Sequence, residues 1–324
     1  MAWTLAELSK LEQDPLRKSI IDTLLMEYNV LQVVPWETTG TLSTTVVKIK
    51  DLPSVGFRKV NEGYSEGIGH FHQKTENISL FGHDIDTDIA IARAKNTIAD
   101  ARAVQQLLTM KAVTYAFNDK FINGNPTTDP EEFKGISKRV DDANTEGFTD
   151  QYLDLADTTN LGILRTSASR FDFLDKLNQL IYSVKGHKPD FLFMNQKCLL
   201  AVRSLLLREK LLDTTKDMFD RVVDLYMGVP MVDIGVKADQ TTLIITNTET
   251  LGGGTAETSI YAVKFGIGDM TWGIQQYPLE VRDLGELESK PVYRTRFDWN
   301  LGLATVDYRS IGRLYGIRAD STAS

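Results

Sequence analysis

The chain has 324 residues, 42% hydrophobic and 25% charged, an ordinary globular composition with enough apolar residues for two cores or one elaborate one. A net charge of −8 argues against a dedicated nucleic-acid-binding protein, and one cysteine, Cys198, excludes an intrachain disulfide. No window approaches eighteen consecutive apolar residues, and the N-terminus lacks the apolar core of a secretory signal, so no membrane partner is expected.

Residues 5–12 and 16–28 read as two helical pieces broken at Asp14-Pro15. Their apolar positions, Leu16, Ile20 and Leu24 with Leu31 beyond, are too sparse for a separate core and imply docking on other elements, in this chain or another. Residues 44–50 alternate and are rich in Val, Ile and Thr, so a strand is predicted. Gly56, Gly63, Gly67 and Gly69 then punctuate a polar stretch. Alternation resumes over 78–91, where Ile85, Ile89 and Ile91 stand against Asp84, Asp86 and Asp88. Two strands around a long Gly-rich middle make an extended hairpin. Such an arm has too little apolar surface for a core of its own.

Residues 93–122 contain no Gly and no Pro and predict one long helix of roughly 45 Å. Ile98, Val104, Leu108 and Tyr115 lie on one apolar stripe, the expected core face. Asn123-Gly124 supplies the stop, and Pro126 prevents resumption. Residues 123–136 are turn-rich, and 141–161 read as polar loop. Ser169 with Asp172 resembles a capping box opening a helix over 171–184, with Phe171, Leu174, Leu177 and Ile181 as its stripe. Residues 191–194 predict a buried strand, and Asn195 a cap for a helix over 196–207. Short strands follow at 222–226, 229–232, 243–246, 259–265, 270–274 and 279–282. Two further segments, 293–308 and 311–317, end the pattern. Strands and helices mix without regular βαβ alternation, so the fold class is α+β, and no internal repeat is visible.

No catalytic, cofactor or metal constellation emerges. His70 and His72 share one strand face with His83 downstream, but a zinc site needs about four ligands. Asp84, Asp86 and Asp88 begin like a calcium loop, yet Ile89 stands where Gly is needed and Lys95 where the bidentate acid is needed. The simpler reading is three carboxylates on a solvated strand face before a helix N-terminus. Neither glycine cluster has a phosphate-loop ending. Cys198 sits in an apolar helical run and reads as core. The chain is therefore not expected to be an enzyme.

The serial order of these elements resembles the major capsid protein of tailed bacteriophages, the Hong Kong 97-type fold, over residues 20–318. The segments that carry the resemblance are FINGNPTTDPEEFKGI after the long helix, LYMGVPMVDIG, and RTRFDWNLGLATVDYRSIGRLYGI. It implies an N-terminal arm (1–43), an extended hairpin loop with return strand (44–91), a spine helix with peripheral domain (92–184), an axial domain (185–285) and a C-terminal return to the peripheral domain (286–324). It further implies self-association into pentamers and hexamers that close an icosahedral shell around double-stranded DNA. Scaffolding, portal and decoration proteins would be partners, with assembly in the host cytoplasm and residence in the virion. Assembly contacts would then fall at the hairpin tip on Lys59, Asn61, Glu62, Tyr64, His70 and His72. Arg102 and Lys111 on the long helix either pair with acidic neighbours or face the packaged DNA, in weak, non-specific contact. No long charged helical segment precedes the arm, as a built-in scaffold would require, and no cross-linking acceptor with its catalytic acid is visible. Two alternatives stay open: a nanocompartment shell of the same fold with protein cargo, and an α+β enzyme with the hairpin as a lid.

Overall fold

The computed structural model describes residues 29–92, 101–155, 162–164, 166–216 and 222–319. The expected helices over 5–12 and 16–28 lie outside these residues, as does Ile98. In chain order the described elements are α1 (Asn29–Val33), β1 (Trp36–Thr38), β2 (Ser43–Asp51), β3 (His70–Asn77), β4 (Ser79–Asp88) and α2 (Ile89–Ala92). Then come α3 (Ala101–Asn123), α4 (Ile136–Thr145), β5 (Tyr152–Asp154), α5 (Ser167–Ser183), β6 (Phe191–Met194) and α6 (Gln196–Glu209). Eight strands complete the order: β7 (Asp213–Lys216), β8 (Val222–Tyr226), β9 (Val229–Asp233), β10 (Thr258–Val263), β11 (Thr271–Gln275), β12 (Glu280–Glu286), β13 (Val292–Thr305) and β14 (Ile311–Ile317).

Three sheets result. In the first, β13 is the hub: it pairs antiparallel with β4, β11 and β12, and β1 adds parallel to β11. The second has seven strands in the order β5-β14-β10-β6-β9-β8-β7. The third is the isolated hairpin β2-β3, in register from Ser43 opposite Asn77 to Asp51 opposite His70.

Two large cores result, the first drawing side chains from both large sheets and the second from the seven-stranded sheet and its helices. The first core is centred on three aromatic rings, with the Trp36 and Trp299 centroids 5.0 Å apart and Phe117 5.6 Å from Trp299. Such tilted pairs add about 0.5–1.5 kcal/mol each beyond area burial. Gly273 is required here, because a Cβ would lie 2.5 Å from the Trp36 ring. The second core joins α5 and α6 to the seven-stranded sheet through Phe173, Leu177, Cys198, Leu205, Ile260 and Leu314. The packing therefore runs through position 184/185, where the sequence reading divides peripheral from axial domain. Burial pushes the Cys198 thiol up to about 12, which fits an inert core residue.

Four local expectations change. On α3 the buried face is Met110, Val113, Phe117, Phe121 and Ile122, with Thr114 and Asn118 beside them. Met110, Val113, Phe117 and Phe121 also step by three and four residues, but on the side of the helix opposite Val104 and Leu108; Ile122 is in line with Val104 and is buried at the C-terminal end of the helix. Residues 141–161 are not simply loop: α4 covers Ile136–Thr145 and buries Ile136, Val140 and Ala143, and β5 follows. The cap of α5 is Thr166, whose side chain accepts from the Ser169 amide while Ser169 reaches back to the Thr166 amide, so Ser169 is the third helical residue. Phe171 is accordingly exposed, and Phe173 and Leu180 join the buried face with Leu174, Leu177 and Ile181. Residues 243–246 form only an isolated bridge, Val236 to Leu243.

Asn195 does cap α6. Its side chain accepts from the Cys198 amide at 2.8 Å and donates to the Ile245 carbonyl and Thr258 hydroxyl, pinning the helix start to the sheet.

Candidate assembly surfaces

Among the described residues the hairpin β2-β3 pairs with no other strand; its returning strand is β3 and not the expected 78–91, which pairs with β13, and residues 52–69 form a long, almost wholly exposed loop. Val55, Phe57, Val60, Tyr64 and Ile68 are all exposed, Phe57 fully so. An aromatic left entirely in water across a cluster of five apolar side chains marks an interaction surface rather than a core. The tip still has order of its own. The Glu62 amide donates to the Lys59 carbonyl at 3.2 Å, Asn61 takes a left-handed φ of 68°, and the Arg58 guanidinium sits 5.0 Å from the Tyr64 ring. Arg58 also donates to the Glu62 carbonyl at 3.1 Å, a role the sequence reading missed.

Lys59, Asn61, Glu62 and Tyr64 thus lie together at this exposed tip. His70 and His72 lie at the far end of β3, opposite Asp51 and Lys48, both exposed. His83 is on β4 in a different sheet. Among the described residues no group of three or more His, Cys, Asp or Glu side chains could hold a metal ion.

The root of the hairpin is different. Its inward face carries Val46, Lys48, Lys74 and Glu76, so three of four seated side chains are ionisable. Val46 joins Ile78, Trp272, Ile274 and Ala304 in a small apolar cluster. Glu76 receives a two-pronged pair from Arg139 at 2.9 and 3.0 Å, and Arg139 also donates to the Leu303 carbonyl at 2.6 Å and the Lys134 carbonyl at 3.0 Å. Arg139 is fully buried and Glu76 nearly so. Burial raises the Glu76 carboxyl, but Arg139 outweighs it and holds the group below the usual carboxylate range. Lys74 donates to the Tyr308 hydroxyl at 2.8 Å, which donates to Glu146 at 3.0 Å. Gly302 on β13 lets the Asn77 carbonyl come close, since a Cβ there would meet that oxygen at 2.7 Å.

The long helix presents two faces. Val104 and Leu108, expected as core, are exposed by about half, Leu108 at 53%. Tyr115 is half-buried. The physical reason is that α3 packs on the first sheet through its C-terminal half, so the N-terminal stripe meets nothing among the described residues that would bury it. Arg102 ion-pairs with Asp283 at 2.5 Å and donates to the Thr295 hydroxyl at 2.9 Å. Arg102 is thus paired within the subunit, as the pairing alternative expects. Lys111 is partly exposed.

The three strand carboxylates have partners too. Asp84 and Asp86 form two-pronged pairs with Arg296 and Arg294 across the β4–β13 ladder, at 2.6–2.8 Å. The hydrogen bonds from these arginines hold both carboxyls below the usual range. Asp88 accepts from the Ala90 amide at 2.7 Å, opening α2.

Comparison with known proteins accords with this architecture. The family model described as Major capsid protein GP7 matches residues 12–161. The SrpI encapsulin of Synechococcus elongatus PCC 7942 superposes with a TM-score of 0.64 at 15% identity, over 91% of this chain and 89% of its own. A chain of Mycobacterium phage Bobi gives 0.60 at 11% identity, over 89% of each chain. One of Mycobacterium phage Cain gives 0.58 at 13%, over 100% of each. No curated protein matches the sequence. The fold is therefore the Hong Kong 97-type capsid fold. Over residues 12–161 the chain is similar to the family described as Major capsid protein GP7.

Proposed function

We propose that many copies of this chain associate into pentamers and hexamers, and that these rings close into the icosahedral shell of a tailed bacteriophage around double-stranded DNA. The observation that carries this reading is the hairpin tip, whose five apolar side chains have no core in their own subunit. Contacts of one surface patch with a different patch on the next copy generate closed rings when the rotation closes. An arm laid on a neighbour buries the tip and adds interface area that a compact subunit cannot supply. Lys59, Asn61, Glu62 and Tyr64 would contribute the polar rim of that contact. The domain scheme of arm, hairpin loop, peripheral and axial parts is carried along with this reading. The assembled shell resides in the virion and forms in the host cytoplasm, with a separate scaffolding protein, a portal and decoration proteins as partners. A net charge of −8 would leave the shell repelling packaged DNA rather than trapping it.

The test replaces residues 54–67 by a short Gly-Ser linker and examines the protein, expressed with its scaffold, by electron microscopy. The variant should keep its circular dichroism and fail to form closed particles. Normal shells from the variant would overturn the proposal. The similarity to an encapsulin favours one second reading, a nanocompartment with protein cargo. Portal and terminase genes beside this one, and DNA inside purified particles, would exclude it.

A further inference from the structure

Three features of the hairpin root stand apart from the tip contacts invoked above. First, the arm joins the body through two short links only, residues 39–42 on one side and Ile78 on the other, closed by the Ile78 amide donating to the Leu42 carbonyl at 3.0 Å. Second, its seat is largely polar: among the described side chains Val46 is the apolar one it inserts, beside Glu76 on Arg139 and Lys74 on Tyr308. Third, Lys48 is 8% exposed, and its ammonium has no hydrogen-bond partner among the described residues. The nitrogen lies 3.3 Å from the centroid of the Tyr308 ring. Burial and Lys74 oppose its charge most, Glu146 and Glu76 favour it, and Arg139 opposes it least. A buried cation that touches a ring face and makes no hydrogen bond is a net cost to the seated state. An open groove of about 990 Å³ between β2-β3 and residues 306–309 leaves room for the root to shift.

We propose that the root of the hairpin is a counterpoised latch. The Glu76–Arg139 pair and the Lys74–Tyr308–Glu146 chain hold the arm down, and the buried Lys48 ammonium pushes it up. Opening swings the arm about residues 39–42 and Ile78, so that one subunit can meet neighbours at different angles without repacking either large core. This deepens the shell reading, which supplies the neighbours. The latch itself is a property of the free subunit.

The experiment is acetylation of the free full-length subunit with an N-hydroxysuccinimide ester, read lysine by lysine by mass spectrometry. Exposed Lys59 is the internal reference. Lys48 should react at least about tenfold more slowly than Lys59, because reaction requires local opening. Tyr308→Phe and Glu76→Gln should each speed Lys48 by about three- to tenfold with Lys59 unchanged, and Lys48→Met should slow Lys74. Lys48 reacting as fast as Lys59 would overturn the latch. So would unchanged Lys48 rates in variants that retain native circular dichroism. If Glu76→Gln does not fold, Tyr308→Phe and Lys48→Met still decide the matter. Particle formation is read separately by microscopy, so loss of the latch and loss of the shell reading are distinguishable.

Discussion

Replacing Lys48 by Met should make the subunit more stable at neutral pH. Met keeps the length of the side chain and removes the ammonium. Burial, with Lys74 next to it, pushes the Lys48 pKa from 10.5 down to about 8. That displacement corresponds to about 3 kcal/mol of cost carried by the charged form in the folded state. The contact with the Tyr308 ring returns about 1–2 kcal/mol, so the expected net gain is about 1–2 kcal/mol. The sign of the pH dependence follows from linkage. Between pH 8 and 10.5 the folded chain binds fewer protons at Lys48 than the unfolded chain, so the parent gains stability as pH rises through this window. The advantage of Lys48→Met is therefore full below pH 8 and fades toward pH 10.5. Urea denaturation of both proteins at pH 7 and pH 10, followed by circular dichroism, measures it. A variant less stable than the parent at pH 7, or an advantage equal at both pH values, would refute the reasoning.

Arg139→Met leaves Glu76 buried without its partner and should cost about 3–5 kcal/mol in denaturant midpoint experiments, with the double variant Arg139→Met/Glu76→Leu recovering much of the loss. Phe117→Ala removes the ring that touches both Trp36 and Trp299 and should lower stability by about 3–5 kcal/mol, read by thermal melting. Leu108→Ala, on the half-exposed face of α3, should cost less than about 1 kcal/mol in the free subunit, and a loss comparable to Phe117→Ala would place a covering element on that face.

The stop of the long helix and the cap at Asn195 were legible because each is written in adjacent residues: Asn-Gly, and an amide-accepting side chain before an apolar run. Of the hairpin only the first strand was legible: the alternating run 78–91, expected as its second strand, is β4 on β13 followed by α2, and the returning strand is the polar β3, whose pairing with β2 its own composition does not announce. The long helix was legible as a helix but not in its orientation. Val104 and Leu108 satisfy the three-and-four spacing as well as Met110, Val113 and Phe117 do, and spacing alone does not say which face meets the same chain. The helix α4 was hidden by its charges. Ile136, Val140 and Ala143 carry the periodicity, but Arg139 among them reads as solvent-facing until Glu76, 63 residues earlier, is brought beside it. The arginine pairs on Asp84 and Asp86 span more than 200 positions, so the acidic run could only look solvated from its neighbourhood. Capping at α5 slipped because Thr166 and Ser169 are chemically alike, and which one caps depends on where the preceding segment leaves the sheet.

Residues 292–317 supply both β13, the hub of the first sheet, and β14, which lies inside the second between β5 and β10. Every strand they pair with is synthesised earlier. A ribosome-bound chain therefore carries two unfinished sheets with open edges until this stretch emerges, and non-local pairing of this kind is slow and exposed to aggregation. A product cut short before 292 has no hub for β4, β11 and β12 to join, so on the proposed shell reading it would offer no finished subunit to its neighbours.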